Sequence, residues 1–304
     1  MGLRKDIWRP AILRAPLAEI FARGGIEGLD FVWLPPSRPF CFLADPFGLW
    51  RDGILHVFVE TYDYRVRIGA IELLRYDAEL TLLDRRLVLA EPWHLSYPYV
   101  WEADGEVWML PEAHRSGRLT LYRADPFPTR WVPETVIALD HVAVDATPFF
   151  HEGRWWLLYA SADNEIGKTG LLFAASADRL TGPWTPHPAN PVREDVASTR
   201  PGGTPVVMDG AILFPTQDCT HTYGGAIRPL RIDRLNAERF SAEAGAPITP
   251  PAEYTPYLEG LHTLAAVGDV TLVDVKRTEL SARGLGIEIR RHSKRLASKT
   301  WRRR

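Results

Sequence analysis

The chain has 304 residues, with 36 Lys and Arg against 38 Asp and Glu, so its formal net charge is −2. Hydrophobic residues at 46% and charged ones at 24% exclude intrinsic disorder as a description of the whole. Two cysteines, Cys41 and Cys219, exclude a disulfide framework and fit a reducing compartment, and the lack of C-x-x-C and H-E-x-x-H removes the common zinc signatures.

At the start of the chain, Met1 to Glu19 shows no apolar core with a flanking cleavage site, so no signal peptide is expected. No run of about 18 apolar residues predicts a membrane span. Short apolar and aromatic runs follow, each opened by a glycine turn. Trp50-Arg51-Asp52-Gly53 precedes ILHVFVE, Glu102-Ala103-Asp104-Gly105 precedes EVWMLPE, and His151-Glu152-Gly153 precedes RWWLLYA. Met208-Asp209-Gly210 then precedes AILFPTQ, and Ala266-Val267-Gly268 precedes DVTLVDV. Glycine supplies the positive φ that tight hairpins need, so each stretch reads as strand, turn, strand. Further strands are predicted over 118–123 and 170–175, and proline-rich links such as Asp125-Pro126-Phe127-Pro128 join the units.

The five turn glycines lie at 53, 105, 153, 210 and 268, at intervals of 52, 48, 57 and 58. That period is near the length of a four-stranded blade, and the reading is an all-β, five-bladed β-propeller over residues 1–280 with a basic tail over 281–304. A β-sandwich would not need five similar hairpins. Register then locates a candidate site. Eight residues before the turn glycines stand Asp45, Tyr97, Asp145, Gly202 and Gly260; seven after them stand Glu60, Glu112, Ala160, Gln217 and Val275. First strands line a propeller's channel, and the start of one strand and the end of the next share an edge. Asp45 and Asp145 are therefore expected at one channel mouth, with Glu60, Glu112 and Gln217 one layer out and Asp274 and Lys276 flanking the fifth position. Two carboxylates on separate blades suit base and acid roles, and crowding in a low dielectric raises the pKa of one of them. Asp near a strand start is also a common turn cap, but caps have no reason to share a place in the repeat.

These segments carry a resemblance. Leu43-Ala44-Asp45-Pro46-Phe47 and Val144-Asp145-Ala146-Thr147-Pro148-Phe149 resemble the first-blade and third-blade motifs of glycoside hydrolase family 43 and its five-bladed relatives. The runs HLSYPYVWE (94–102), MLPEA (109–113), SADRLTGPWTPHPANPV (176–192), STRPGG (198–203) and PTQDCTHTYGGAI (215–227) are similar to the N-terminal domain family of glucosamine inositolphosphorylceramide transferase. The basic tail lies outside this match. The hydrolase resemblance implies that Asp45 is the base or nucleophile and Asp145 the orienting, pKa-tuning carboxylate. The hydrolases' general acid is a Glu in a fourth-blade Glu-Gly-Pro segment, whereas this chain has Thr199-Arg200-Pro201-Gly202-Gly203. Glu112 is then the expected replacement acid, unless a phosphate leaving group is neutralised by Arg200 or Lys276 instead.

Other residues have two readings. Gln217, Asp218 and Tyr223 suit sugar hydroxyls or simply hold a loop. His262, near the start of the last blade, is a base or a satisfied structural residue. His94, Tyr97, Trp101 and the adjoining Glu102 open the second blade, where aromatics stack on a sugar or pack between blades. Cys219, near His221, lacks the spacing of a nucleophile. The expected substrate-binding set is Glu60, Tyr97, Glu102, Arg200, Gln217, Asp218, Tyr223, His262, Asp274 and Lys276; no metal or cofactor is demanded, although a channel divalent ion occurs in some related hydrolases.

From Ser281 to Arg304 stand nine Lys and Arg and one acid, Glu288, so this tail is +8 and the rest of the chain −10. It is either a solvated, partly helical end or an attachment to an anionic membrane surface, with Trp301 at the interface. The acidic body argues against nucleic acid. The expectation is a carbohydrate-active enzyme with sugar or activated-sugar substrate, cytoplasmic and peripheral to the membrane. It is read as a glycosyltransferase in glycolipid or surface-polysaccharide assembly; the alternatives are a glycoside hydrolase or phosphorylase of the same fold and a non-catalytic sugar-binding propeller.

Overall fold

The computed structural model describes residues 4–289. Its strands form five antiparallel sheets. Blade one runs Cys41–Arg51, Ile54–Asp63, Ile68–Tyr76 and Leu82–Leu89; blade two runs Ser96–Ala103, Glu106–Glu112, Leu119–Ala124 and Trp131–Ile137. Blade three has Ala143–His151, Arg154–Ser161, Leu171–Ala177 and the two-residue Thr185–Pro186, with Arg193–Glu194 beside its third strand. Blade four begins with a split strand, Arg200–Pro201 and Val206–Met208, followed by Ala211–Asp218, Ala226–Leu235 and Phe240–Ala244. The five-bladed propeller read from the glycine spacing is therefore the fold.

Blade five is assembled from segments that precede and follow the other four blades. Gly260–Val267 and Val270–Glu279 form its hairpin, and Lys5–Leu13 and Phe31–Trp33 complete the sheet. The pairs Lys5↔Glu279 through Leu13↔Thr271 close the ring. Pro10 is tolerated because its carbonyl accepts from Leu34 N–H while the ring nitrogen needs no partner.

The turn chemistry explains the hairpins. Asp52-Gly53, Asp104-Gly105, Glu152-Gly153 and Asp209-Gly210 all have positive φ at both residues, the two-residue type I′ pattern that matches strand twist. Packing lies between blades. Phe47, Val57 and Phe58 of blade one share a cluster with Tyr97 and Met109 of blade two. Leu110 and Leu121 meet Leu157 and Tyr159 of blade three, and Trp156 and Leu158 meet Phe214 and Leu230 of blade four. Burial of each such side chain contributes about 1.5–3 kcal/mol, which fixes the blades around the axis. A helix over 282–289 follows blade five. None of the described helices is long and apolar enough to cross a membrane; most of the basic tail, with Trp301, lies outside the described residues.

Candidate functional site

The first strands do not run smoothly to the axis. Register breaks between Ala44 and Phe47, Ser96 and Tyr99, and Val144 and Thr147 mark bulges. The residues they eject are Asp45, Tyr97 and Asp145, with φ of 48°, 45° and 50°. Left-handed backbone at non-glycine residues is costly, and a bulge re-aims a side chain. Blade five has its own bulge between Leu261 and Thr263, which ejects His262. Second strands supply another layer: Ala44↔Glu60, Ser96↔Glu112, Arg200↔Gln217 and Gly260↔Lys276 are paired positions. The fifth position is thus Lys276 and not Val275, because Gly268 opens its turn whereas the other four glycines close theirs.

A cavity of about 300 Å³ opens at this mouth, lined among others by Asp45, Glu60, Glu112, Arg200, Tyr223 and His262. Asp45 is almost fully buried and densely held. Tyr97 N–H donates to its Oδ2 at 3.0 Å, Thr263 Oγ1 to its Oδ1 at 3.3 Å, and His262 Nε2 lies 3.4 Å from Oδ1. The other ring nitrogen of His262 sits 2.7 Å from Asp274 Oδ1, and Trp8 stacks on the ring at 3.6 Å between centroids. Burial raises Asp45 above the ordinary carboxyl range, with His262 pulling it back and Asp274 pushing it up. Burial disfavours the His262 cation, but Asp274 and Asp45 outweigh it and the ring's pKa rises. Asp274, His262 and Asp45 thus form a carboxylate–imidazole–carboxylate chain. Their ligand atoms lie within 4.8 Å of one another, a metal-compatible set by residue type. Asp274, however, already accepts from His262 N–H and Thr263 N–H at Oδ1 and from Asp45 N–H at Oδ2, so hydrogen bonding within the protein accounts for the cluster without a cation.

The two rim glutamates differ. Glu112 accepts at Oε1 from His114 N–H at 2.6 Å, has His114 Nδ1 at 2.5 Å from the same oxygen, and accepts at Oε2 from Ser96 Oγ at 2.8 Å. Burial pushes it up, but the His114 contacts win and hold it down to about 2. Glu60 has no such donor set: burial, then the charges of Asp45 and Glu112, drive it well above the usual value. His94 Nδ1 accepts from Gly69 N–H, so its Nε2 carries the proton toward Glu60 Oε1, 3.6 Å away, and burial depresses the ring to about 4. Of the two rim glutamates, burial thus pushes Glu60 toward its protonated form, while His114 holds Glu112, expected from sequence as the acid, toward the carboxylate.

Across the cavity, Arg200 Nε lies 2.8 Å from Asp145 Oδ2, an ion pair whose angle departs from a hydrogen bond. Burial raises Asp145 and Arg200 lowers it, leaving it at about 7. Gln217 Nε2 also reaches Asp145, at 3.3 Å, and donates to Pro201 O at 2.8 Å. Arg200 lies over the Tyr223 ring, 4.9 Å from its centroid.

Several expected residues fall elsewhere. Glu102 is exposed beside the hairpin turn at the opposite end of blade two. Tyr97 is wholly buried beneath the mouth, where its hydroxyl meets Thr147 Oγ1 and accepts from Gly203 N–H. Asp218 is tied to Arg228 Nε at 2.9 Å and to Thr220 N–H, outside the cavity lining. Asp145, Gln217 and Asp274 stand behind the lining, and Lys276 Nζ is held by Asp6, Thr222 and Tyr223 O, so Lys276 does not reach the cavity. Burial raises the Cys219 thiol, which keeps it protonated. Sequence reasoning missed Trp8, His114 and Lys168, all in the lining. His114 and Lys168 sit in connecting segments without a place in the repeat, and Trp8 comes from the ring-closing strand.

Comparison with known proteins gives three results. Residues 35–249 match the family described as "Glucosamine inositolphosphorylceramide transferase 1, N-terminal". Proteins named glucosamine inositolphosphorylceramide transferase 1 are similar, at 34% identity over 206 residues in Oryza sativa subsp. indica and 37% over 207 in Arabidopsis thaliana. Each alignment covers 66% of this chain, and the chain spans only 28% and 27% of those relatives' lengths. Among solved structures, Zg3597, a family 117 glycoside hydrolase from Zobellia galactanivorans, superposes with a TM-score of 0.54 at 14% identity over 80% of this chain and 86% of that one. At that identity the likeness concerns the fold.

Proposed function

The chain belongs to the glucosamine inositolphosphorylceramide transferase 1 N-terminal family, and from that membership we propose that it is a carbohydrate-active enzyme transferring a sugar at its propeller mouth, in glycolipid or surface-polysaccharide assembly. The observation that carries this reading is one cavity holding both Asp45, fixed by the His262–Asp274 chain, and Glu60, pushed toward its protonated form by burial. Asp45 takes the proton from the acceptor hydroxyl as its oxygen attacks the sugar's anomeric carbon. The bond from that carbon to the leaving oxygen breaks, and Glu60 gives that oxygen its proton. For a phosphate leaving group, Arg200 and Lys168 at the lining neutralise the departing charge, so the fourth-blade acid of the hydrolases is not needed. Asp145 holds Arg200 and thereby positions it.

A second reading has one observation behind it. The curated relatives are more than three times as long as their match to this chain, so the transfer in their names belongs to a larger protein. On that reading the propeller binds a sugar and presents it to another catalytic unit. Incubating the full chain with sugar nucleotides, polyprenyl-phosphate sugars and nitrophenyl glycosides, with products read by mass spectrometry, separates the readings. Transfer that disappears in Asp45→Asn and Glu60→Gln while calorimetric sugar binding persists supports catalysis. Free sugar released without an acceptor points to the hydrolase. Binding that survives both substitutions, with no donor consumed, overturns catalysis in favour of the binding module.

A further inference from the structure

We infer that the cavity-bearing face of the propeller docks on an anionic phospholipid bilayer, anchored by the basic segment 290–304. Antiparallel blades place the glycine turns at one end and the loops after each second strand at the other. Those latter loops supply Tyr64, His114, Lys168 and Tyr223 to the cavity lining. The last strand ends at Glu279 opposite Lys5, on this same face. The helix over 282–289 is then tied to the rim through Glu288, whose Oε1 accepts from Lys5 Nζ at 2.8 Å and from Arg67 at 2.9 Å. Lys5 is buried, so this anchor is built into the rim. The described chain therefore ends on the mouth face, and the sequence that follows it, 290–304, holds eight Lys and Arg and no acid.

The same face exposes apolar side chains from three of its five blades. Val66 is 63% exposed, Ile166 69%, Leu258 45% and Leu280 69%. Among the acids beside them, Asp63 is paired with Arg65, Glu165 with Lys168 and Glu279 with Arg277, while Glu259 accepts from Thr278 N–H. The opposite end presents an exposed acid in every first-hairpin turn: Asp52, Asp104, Glu152, Asp209 and Asp269. An anionic bilayer attracts the tail, accepts the apolar rim into its interface and repels the acidic end. A nucleic acid would use only the charges and leave the apolar rim without a role. In this orientation the cavity faces the headgroups, which suits an acceptor or donor held in the membrane by its lipid. Docking needs no catalysis in the cavity, so its failure and the failure of the transfer reading are separate results.

Co-sedimentation of the full chain tests this, using phosphatidylcholine vesicles with and without about 30% phosphatidylglycerol. Binding is expected only to the anionic vesicles and to weaken steeply with salt. Reversing Arg302, Arg303 and Arg304 to Glu in the full chain is expected to weaken it by about a hundredfold or more. Val66→Asp with Ile166→Asp should weaken it by about tenfold, whereas Phe150→Asp with Val207→Asp, at the acidic end, should change nothing. Unchanged melting of each variant shows that folding is not the cause. Equal binding to neutral vesicles, equal loss from both apolar pairs, or tighter binding to a single-stranded oligonucleotide than to anionic vesicles would each overturn the inference.

Discussion

Blade one delivers Asp45 from a bulge within an eleven-residue strand, Cys41–Arg51, whereas blade four delivers Arg200 from a two-residue strand that breaks at Gly202 and Gly203. In blade one the strand resumes on either side of the bulge, so a side chain is ejected while the ladder survives. In blade four the break drops the backbone onto its neighbour. Gly203 bridges Leu264 of blade five in parallel, and Gly202 O accepts from Leu264 N–H. A Cβ on Gly202 would stand 2.5 Å from Ile227 Cδ1, and one on Gly203 1.8 Å from Leu264 O. A glutamate has no room at either glycine. The way the two blades meet thus excludes an acid at either glycine, and Arg200 is the last charged side chain before the pinch.

Four experiments break or sharpen this contrast. Asp45→Asn should lower turnover by roughly two to four orders of magnitude while leaving the melting temperature near its original value, because a positioned base is lost and the backbone bulge is kept. Gly203→Ala acts on the other blade and through folding: with φ at +150° and no space for a methyl group, it should cost about 4 kcal/mol or more in urea unfolding. Stability equal to the parent would show that the pinch is loose.

The two remaining tests use pH. Glu112, held down to about 2, adds stability that is full above its unfolded value of about 4.3 and is lost as pH falls toward 2. Glu112→Gln should remove on the order of 2 kcal/mol of that acid-sensitive stability, seen as a flatter unfolding midpoint between pH 5 and 2. Asp145 behaves in the opposite sense. Raised to about 7 against about 3.9 when unfolded, its contribution is full below about pH 4 and is lost as pH rises through 7. Arg200→Gln removes the charge that lowers it, so this falling limb should move up by about one pH unit or more, followed by carboxyl infrared bands or midpoints from pH 5 to 9. No movement would mean that the pair is not coupled as its 2.8 Å separation indicates.

Much of the architecture was legible because hairpin turns have local chemistry. Turn glycines recurring at intervals of 48 to 58 residues located every first hairpin, and the eight-residue offset found Asp45, Tyr97 and Asp145, all three at bulges. The offset failed at Gly202, where the strand is broken, and at Gly260, where the turn glycine shifts by one place and the ejected residue is His262. The protonation states were not legible. Glu60 and Glu112 are equivalent in the repeat, and what separates them is His114, two residues past Glu112, with no counterpart at Glu60. Lys5–Leu13 was also missed: a strand whose partner is some 270 residues away carries no turn to announce it.

The fifth blade's construction bears on synthesis. Asp274 and His262 share one hairpin, and their sheet needs Lys5–Leu13, which precedes that hairpin by four whole blades. That early strand must wait unpaired until the final hairpin emerges. The nascent protein therefore cannot close its ring, or organise Asp45 around its imidazole partner, before that hairpin has been made, and a product stalled before residue 270 would lack Asp274 and the strand that joins Lys5–Leu13 to the ring.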